Sequence, residues 1–569
     1  MVDYWTVAAK AKLHPNLTAN ARLVLEKRYL RRDDQGRITE TPSGMFERVA
    51  GAVAAIEKKD RGGWERRFYE MMASGRFLPN SPTLMNAGSK KGQLSACFVL
   101  PVEDSLDSVF ETLKDAARIH QSGGGTGFSF SKVRPSGSRV RSTHGVASGP
   151  VSFIRVYDSA TETIKQGGTR RGANMAVLRV DHPDILMFID SKRDLKSITN
   201  FNISVGATRE FMMALEQGSL FSLRDPATGK EVRQLPAREI FSRIAGAAWE
   251  SGDPGLVFLD RINVFNPTPQ LGEMESTNPC GEQPLLPFES CNLGSLNLGT
   301  YFTNGHFQWT RFRGDIGTAV RFLDNVIDLN AYPVPECAKI TRRNRKIGLG
   351  VMGFADLLLA MGLPYDSEEA RGAGERIMSF LDREAKLASV ALARARGAFP
   401  NWKGSLWDRL GYRPMRNSTV TTVAPTGTIS VIAGCSSGIE PIFGAVFRRN
   451  VLDGERLTDV HPTVARICEE KGLRIEDVAR MDEADIQRML GPAWTPAHRV
   501  SVEAHVLMQA VFQRFSDSAV SKTINLPESA TKEDVTKAYQ LAYETGCKGI
   551  TVYRNRSKPE QVLEMCPTC

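Results

Sequence analysis

Ala96-Cys97-Phe98-Val99-Leu100 is a short apolar run, and Ala176-Val177-Leu178 and Ile203-Ser204-Val205 repeat the pattern further along. Each has the length of a buried strand, and amphipathic helical stretches separate them. Alternation of that kind predicts an α/β core from Phe77 onward. Ahead of it, Ala21 to Arg31 and Met45 to Lys58 carry apolar residues at spacings of three and four, so residues 1–76 read as a helical region. Residues 77–557 form the core, and residues 558–569 read as a mobile tail ending in Cys566-Pro567-Thr568-Cys569. No repeat of twenty to fifty residues is present.

The chain has 569 residues, 41% hydrophobic and 24% charged, which suits two to four globular domains or one large α/β barrel. No run of eighteen apolar residues exists to span a bilayer, and the start, MVDYWTVAAKAKL, lacks the continuous apolar core of a signal peptide. A cytoplasmic protein with no membrane partner is expected. Nine cysteines, an odd number scattered through a large chain, point to redox or catalytic thiols rather than structural disulfides. The net charge of +9 suits an anionic partner, but Lys and Arg are spread throughout. The densest run, Arg342 to Lys346, reads first as a solvated face, then as a site for phosphorylated small molecules. Direct nucleic-acid binding comes last.

Asn278-Pro279-Cys280-Gly281-Glu282 places an amide, a thiol and a carboxylate within five positions, and Cys291 follows eleven residues after Cys280. Proline fixes φ before the thiol and glycine permits a tight reversal after it, so the three groups can converge on one substrate. A lone cysteine in a turn is most often buried and inert. The company of Asn278, Glu282 and Cys291 favours a reactive loop tip instead.

Five further motifs are ambiguous singly. Gly348-Leu349-Gly350-Val351-Met352-Gly353 fits the dinucleotide fingerprint, but Thr341-Arg342-Arg343-Asn344-Arg345-Lys346 stands where that fingerprint needs an apolar strand. Pro425-Thr426-Gly427-Thr428 precedes the apolar stretch Ile429 to Ala433 and reads either as a phosphate-binding turn or as a plain capped turn. Asn80-Ser81-Pro82-Thr83 carries the same two readings, and Gly123-Gly124-Gly125-Thr126-Gly127 is either a close-approach loop or an ordinary one. Cys566 and Cys569 are half of a zinc site, with no second pair nearby, or an electron-exchanging dithiol. No residue is assigned to a metal.

Eight phrases occur in a fixed order: FLPNSPTLMNAG (77–88), SACFVLPVEDSLDS (95–108), GGGTGFSFS (123–131), IKQGGTRRGANMAVL (164–178), STNPCGEQPL (276–285), RKIGLGVMGFADLL (345–358), VAPTGTISVIAG (423–434) and TGCKGITVYRNRS (545–557). Together they resemble the catalytic chain of ribonucleotide reductases, from about Lys12 to Ser557, and most of all the class II, adenosylcobalamin-dependent branch. The resemblance implies a ten-stranded α/β barrel, two antiparallel halves of five parallel strands, with a loop carrying a radical cysteine up its middle. It makes the glycine fingerprint part of the barrel.

By the same resemblance Cys280 forms a thiyl radical that removes the substrate's 3′ hydrogen, Glu282 accepts the 3′-OH proton and Asn278 orients the hydroxyls. Cys97 and Cys291 supply two electrons and close into a disulfide. Cys566 and Cys569 reopen it, and a thioredoxin-like donor resets them. The substrate, expected to be a ribonucleoside diphosphate, places its phosphates on Ser81 and on Pro425, Thr426, Gly427, Thr428 and Ile429, with Ala96 and Gly125 at the sugar and the loop Gly167 to Asn174 at the base. A deoxynucleotide or ATP effector at a homodimer interface is implied at Asp104, Ser105, Leu106 and Arg134, with Lys165, Gln166 and Arg170 as relay. Gln166 and Arg170 read equally as surface residues at a helix end and turn.

Three radical sources divide the family. Class I chains rely on a separate radical-generating subunit and on adjacent tyrosines near the C-terminus, and no Tyr-Tyr pair occurs here; Tyr553 stands alone. The Arg-x-Cys-Gly-Tyr glycyl-radical setting of class III is also missing. Adenosylcobalamin remains, although no Asp-x-His-x-x-Gly motif marks where it binds. A class I large subunit and an inactive nucleotide-binding paralogue stand as alternatives. The early entry into the catalytic region leaves no space for the ATP-cone of many relatives, so dATP is expected not to shut activity down. Many relatives continue past the position of Cys569 into a longer cysteine-containing tail, and self-reduction is expected to suffer without it.

Overall fold

Three helices precede the first strand in the computed structural model, which describes residues 13–89, 92–139, 145–164, 172–452, 455–558 and 563–565. α1 (Ala19–Arg28) starts where the Thr18 side chain accepts from Ala21 N. α2 (Pro42–Ala54) starts at Thr41 with proline in its first turn, and α3 (Arg61–Ala73) follows. Their apolar faces share one core with the central sheet: Phe322 meets Phe68 and Phe77 edge to face, at 5.1 and 5.4 Å between ring centres. The helical region is therefore fused to the core.

The central sheet has ten strands: β1 (Phe77–Pro79), β2 (Cys97–Pro101), β3 (Gly125–Ser129), β4 (Asn174–Arg179), β5 (Phe201–Ala207), β6 (Gly255–Phe258), β7 (Glu289–Asn297), β8 (Ile347–Met352), β9 (Thr523–Leu526) and β10 (Gly549–Arg554). The three apolar runs of the sequence fall on β2, β4 and β5. β2 to β6 lie parallel in chain order. β7 and β8 are parallel, as are β9 and β10. The two sets meet antiparallel at β2–β7 and at β6–β10.

Residues 419–423 bridge the remaining gap between β8 and β9. Leu349 N donates to Val420 O (2.8 Å) and Thr422 N to Leu349 O (3.1 Å), while Val423 N donates to Ala519 O (3.2 Å) and Ser521 N to Val423 O (2.9 Å). The ladder thus closes into a barrel of two five-stranded parallel halves, with residues 419–423 as its tenth member and β1 as an outer flank on β7. β2, β4 and β8 are buried almost throughout, because helices cover their outer faces and a loop fills the interior.

The glycine fingerprint lies on β8 itself, where a dinucleotide turn would follow a strand. A Cβ at Gly350 would stand 2.3 Å from Thr422 O, so glycine there is what lets residues 419–423 pack against β8.

The basic run divides: Arg342 and Arg343 are exposed, as the solvated reading expects, but Arg345 and Lys346 are not. Arg345 is 3% exposed and Lys346 1%. Arg345 forks onto Asp324 and Asp328, and Lys346 pairs with buried Glu289 at 2.8 Å. Each charge enters the interior already matched by a carboxylate. Among the described residues no helix is long and apolar enough to cross a membrane.

Candidate active site

Ser276–Thr277 and Pro284–Leu285 pair antiparallel and raise a hairpin into the barrel. At its tip Gly281 N donates to Asn278 O (3.0 Å), making Pro279 and Cys280 the central residues of a turn that Gly281 completes at φ +82°. Cys280 is exposed at this tip, while Asn278 and Glu282 beside it are buried. The loop is tied to both halves of the barrel. Asn202 Nδ2 on β5 donates to Pro279 O (2.8 Å), and Thr422 Oγ1 (3.0 Å) and Ala519 N (2.9 Å) donate to Glu282 O. Close approach depends on glycine: a Cβ at Gly127 would stand 1.7 Å from Thr277 O, and one at Gly125 would stand 2.9 Å from Pro279 Cγ.

Cys97 and Cys291 are opposite each other in the β2–β7 register and both are buried. Asn278 Nδ2 donates to Cys97 Sγ at 3.1 Å, and Cys97 Sγ stands 3.9 Å from Glu282 Oε1, within reach as a weak donor. One thiol thus touches both polar groups of the loop. Burial pushes the Cys291 thiol well above its ordinary pKa, with the Lys346 ammonium pulling the other way. Cys291 is therefore held as a thiol rather than a thiolate at neutral pH.

Cys97, Asn278, Cys280 and Glu282 line a cavity of about 310 Å³, together with Ser81, Ala96, Gly125 and all of Pro425, Thr426, Gly427, Thr428 and Ile429. That volume suits a small organic ligand. Ser81 opens the helix Ser81–Asn86, whose cap Asn80 accepts from Thr83 N and from the Thr83 hydroxyl. Thr426 takes φ +55°, sparsely populated for a β-branched residue, and its hydroxyl accepts from Gly438 N at 2.7 Å. The turn is over-determined where it faces the cavity. Among the described residues, no Lys or Arg lines this cavity.

Asp104, Ser105, Leu106 and Arg134 group away from the cavity lining. Arg134 Nε reaches both Asp104 oxygens (3.0 and 2.8 Å), Ser105 caps the helix Leu106–Gln121, and Leu106 is 64% exposed. Lys165, Gln166, Arg170, Cys566 and Cys569 lie outside the described residues.

Three groups that hold the site were not singled out from sequence. Thr422 grips the loop. Gln283 N donates to Asn278 Oδ1 at 2.9 Å and so orients that amide. His120 Nε2 meets the Thr126 hydroxyl at 2.8 Å, which donates to Asn174 Oδ1 at 2.6 Å. Gln283 stands inside the phrase at 276–285, so its neighbours were the signal; for Thr422 and His120 no local signal existed.

A family model described as "Ribonucleotide reductase, barrel domain" matches residues 95–553, and one described as "Ribonucleotide reductase, all-alpha domain" matches residues 15–92. The chain is 49% identical, over 96% of its length and 80% of the relative's, to the vitamin B12-dependent ribonucleoside-diphosphate reductase of Thermoplasma acidophilum. Identity and coverage are the same for the protein of that name from Mycobacterium tuberculosis. Identity falls to 28%, over 93% of this chain and 58% of the relative, for the ribonucleoside-diphosphate reductase subunit alpha of Chlamydia pneumoniae.

Proposed function

The chain belongs to the ribonucleotide reductase family, and from that premise we propose that it is a class II enzyme reducing ribonucleoside diphosphates to their 2′-deoxy forms with adenosylcobalamin. The observation that carries this is the 49% identity to vitamin B12-dependent relatives across nearly the whole chain, against 28% to a subunit alpha. A class I large subunit is correspondingly disfavoured.

Cys280 is the hydrogen-abstracting residue in this reading, supported by its exposure at the loop tip facing the cavity. Its thiyl form takes hydrogen from C3′ and becomes a thiol. Glu282 takes the 3′-OH proton, and Asn278 orients the hydroxyls. As the 2′-oxygen leaves as water, Cys97 and Cys291 give up two electrons and form one disulfide. Cys280 then returns its hydrogen to C3′. The contact of Cys97 Sγ with both Asn278 and Glu282 supports a proton donor at the 2′ position. Cys566 and Cys569, recharged by a thioredoxin-like dithiol, reopen the disulfide by exchange.

Adenosylcobalamin supplies, when bound, a carbon–cobalt bond whose homolysis is the source of the radical. The exposed Cys280, and Gly123 on the cavity wall, where a Cβ would meet nothing within 4 Å, leave room for a large group approaching the loop tip, and these residues are the ones that would meet it. The phosphates rest on Ser81 and the 425–429 turn, and the sugar against Ala96 and Gly125. An effector deoxynucleotide or ATP binds by Asp104, Ser105, Leu106 and Arg134, where exposed Leu106 and Phe110 give a second copy of the chain an apolar face to cover. Lys165, Gln166 and Arg170 relay its identity to the base.

The test is reduction of CDP by the purified chain with a dithiol and an effector deoxynucleotide, with and without adenosylcobalamin. Cobalamin-dependent dCDP is expected. Product formed without cobalamin but only with a metal-containing partner protein would move the chain to class I.

A further inference from the structure

Among the described residues, the cavity walls that receive the phosphates in the reading above carry hydroxyls and backbone groups but no Lys or Arg. Hydroxyl donors bind an anion well only if they are already aimed, so what stands behind them decides affinity. Behind both phosphate elements stands α1. Tyr29, its C-terminal cap and 4% exposed, places its hydroxyl 2.7 Å from Ser81 Oγ. At the other end, the helix Ile429–Ala433 packs against α1, and a Cβ at Gly434 would lie 3.9 Å from Thr18 Cγ2. Asn20 Nδ2 donates to Asp459 Oδ1 (2.9 Å), Arg449 Nε donates to Asp459 Oδ2 (2.7 Å), and Arg449 Nη1 reaches Gly427 O (3.4 Å). One helix of the N-terminal region thus holds both walls of a cavity built by the barrel.

We propose that α1 is the splint of the phosphate site and that Tyr29 is a positioning residue for substrate phosphate, holding the Ser81 hydroxyl in the rotamer that meets the anion. This rests on the reading of Ser81 as a phosphate ligand. Tyr29 acts through Ser81, so its hydroxyl matters for ligands that carry a phosphate and not for those that lack one.

The experiment compares Tyr29→Phe, Ser81→Ala and the double variant of the full chain, measuring KM for CDP and binding of CDP and of cytidine. Losing one such hydrogen bond corresponds to a rise of about 5- to 10-fold in KM for CDP, larger than the fall in kcat. Cytidine binding is expected to hold, and Tyr29→Phe is expected to add nothing in the Ser81→Ala background. Asn20→Ala, which cuts the other tether, gives the same split between CDP and cytidine if α1 is the splint. If Ser81→Ala raises KM while Tyr29→Phe and Asn20→Ala do not, the splint is wrong and the phosphate reading stands. If Ser81→Ala itself leaves KM unchanged, the phosphate reading fails and takes the inference with it. Equal weakening of CDP and cytidine marks a merely structural role and also overturns the proposal.

Discussion

Cys97 and Cys291 are direct cross-strand partners at the antiparallel seam where the two halves of the barrel meet. Opposed residues in such a pair have Cα separations within the range a disulfide accepts, so oxidation needs no large backbone movement. One round of CDP reduction without external reductant, in a Cys566→Ser, Cys569→Ser variant whose tail cannot reopen the disulfide, is therefore expected to consume two thiols per chain and leave a Cys97–Cys291 crosslink, read by mass mapping of the digested protein. A crosslink from Cys280, or no thiol loss with product formed, would sink the assignment.

Exposure and pKa together order the reactivity of the thiols. Cys280 is exposed, whereas burial pushes the Cys291 thiol well up, and Cys435 likewise; Cys547 is pushed up to about 12. The thiolate is the nucleophile, so raised values mean less of it at any pH below them. Among the thiols of the described residues, iodoacetamide at pH 8 is expected to modify Cys280 first, abolishing reduction, and Cys291 only after unfolding. Early labelling of Cys291 would contradict the closed packing at the seam.

Gly127→Ala is expected to abolish turnover. A methyl group there collides with the Thr277 carbonyl at the root of the loop, and backbone at that distance has nowhere to move but away from β3. The loop shift misplaces Cys280, and misplacement on the order of 1 Å can cost about 100-fold in rate. Steady-state assay with CDP, beside a thermal melt, checks it. Full activity with an unchanged melt would mean that the loop does not lie against β3.

The α/β core and the loop were legible because their signals are local: β2, β4 and β5 are apolar runs, and the thiol, amide and carboxylate of the loop fall within five residues. Residues 419–423 were not, since Thr419, Thr421 and Thr422 dilute the apolar pattern, and their strand-like role comes from partners at 349 and 519. Arg345 and Lys346 misled for a related reason. A run of basic residues looks solvated until Asp324, Asp328 and Glu289 arrive from elsewhere in the chain. Tyr29 and Ser81 are 52 positions apart, and only the packing of α1 on the barrel joins them.

His120 gives the site a pH limit. Burial lowers its pKa from 6.5 to about 4, with the neighbouring Asn174 amide opposing, so the folded protein holds a neutral ring donating from Nε2 to Thr126. Between pH 6.5 and about 4 the unfolded chain binds a proton that the folded one refuses. Stability contributed by the neutral ring is therefore complete above pH 6.5 and is lost as pH falls through about 4. At about 1.4 kcal/mol per pH unit the loss is on the order of 3 kcal/mol. His120→Gln keeps a donor for Thr126 without the titration. Burial lowers the pKa of His182 and His505 too, so wild type and variant both weaken in acid and the difference between them carries the test. Melting both proteins at pH 7, 5.5 and 4.5, the wild type is expected to lose ground to the variant as pH falls, whereas parallel losses would show that His120 is not buried neutral beneath β3.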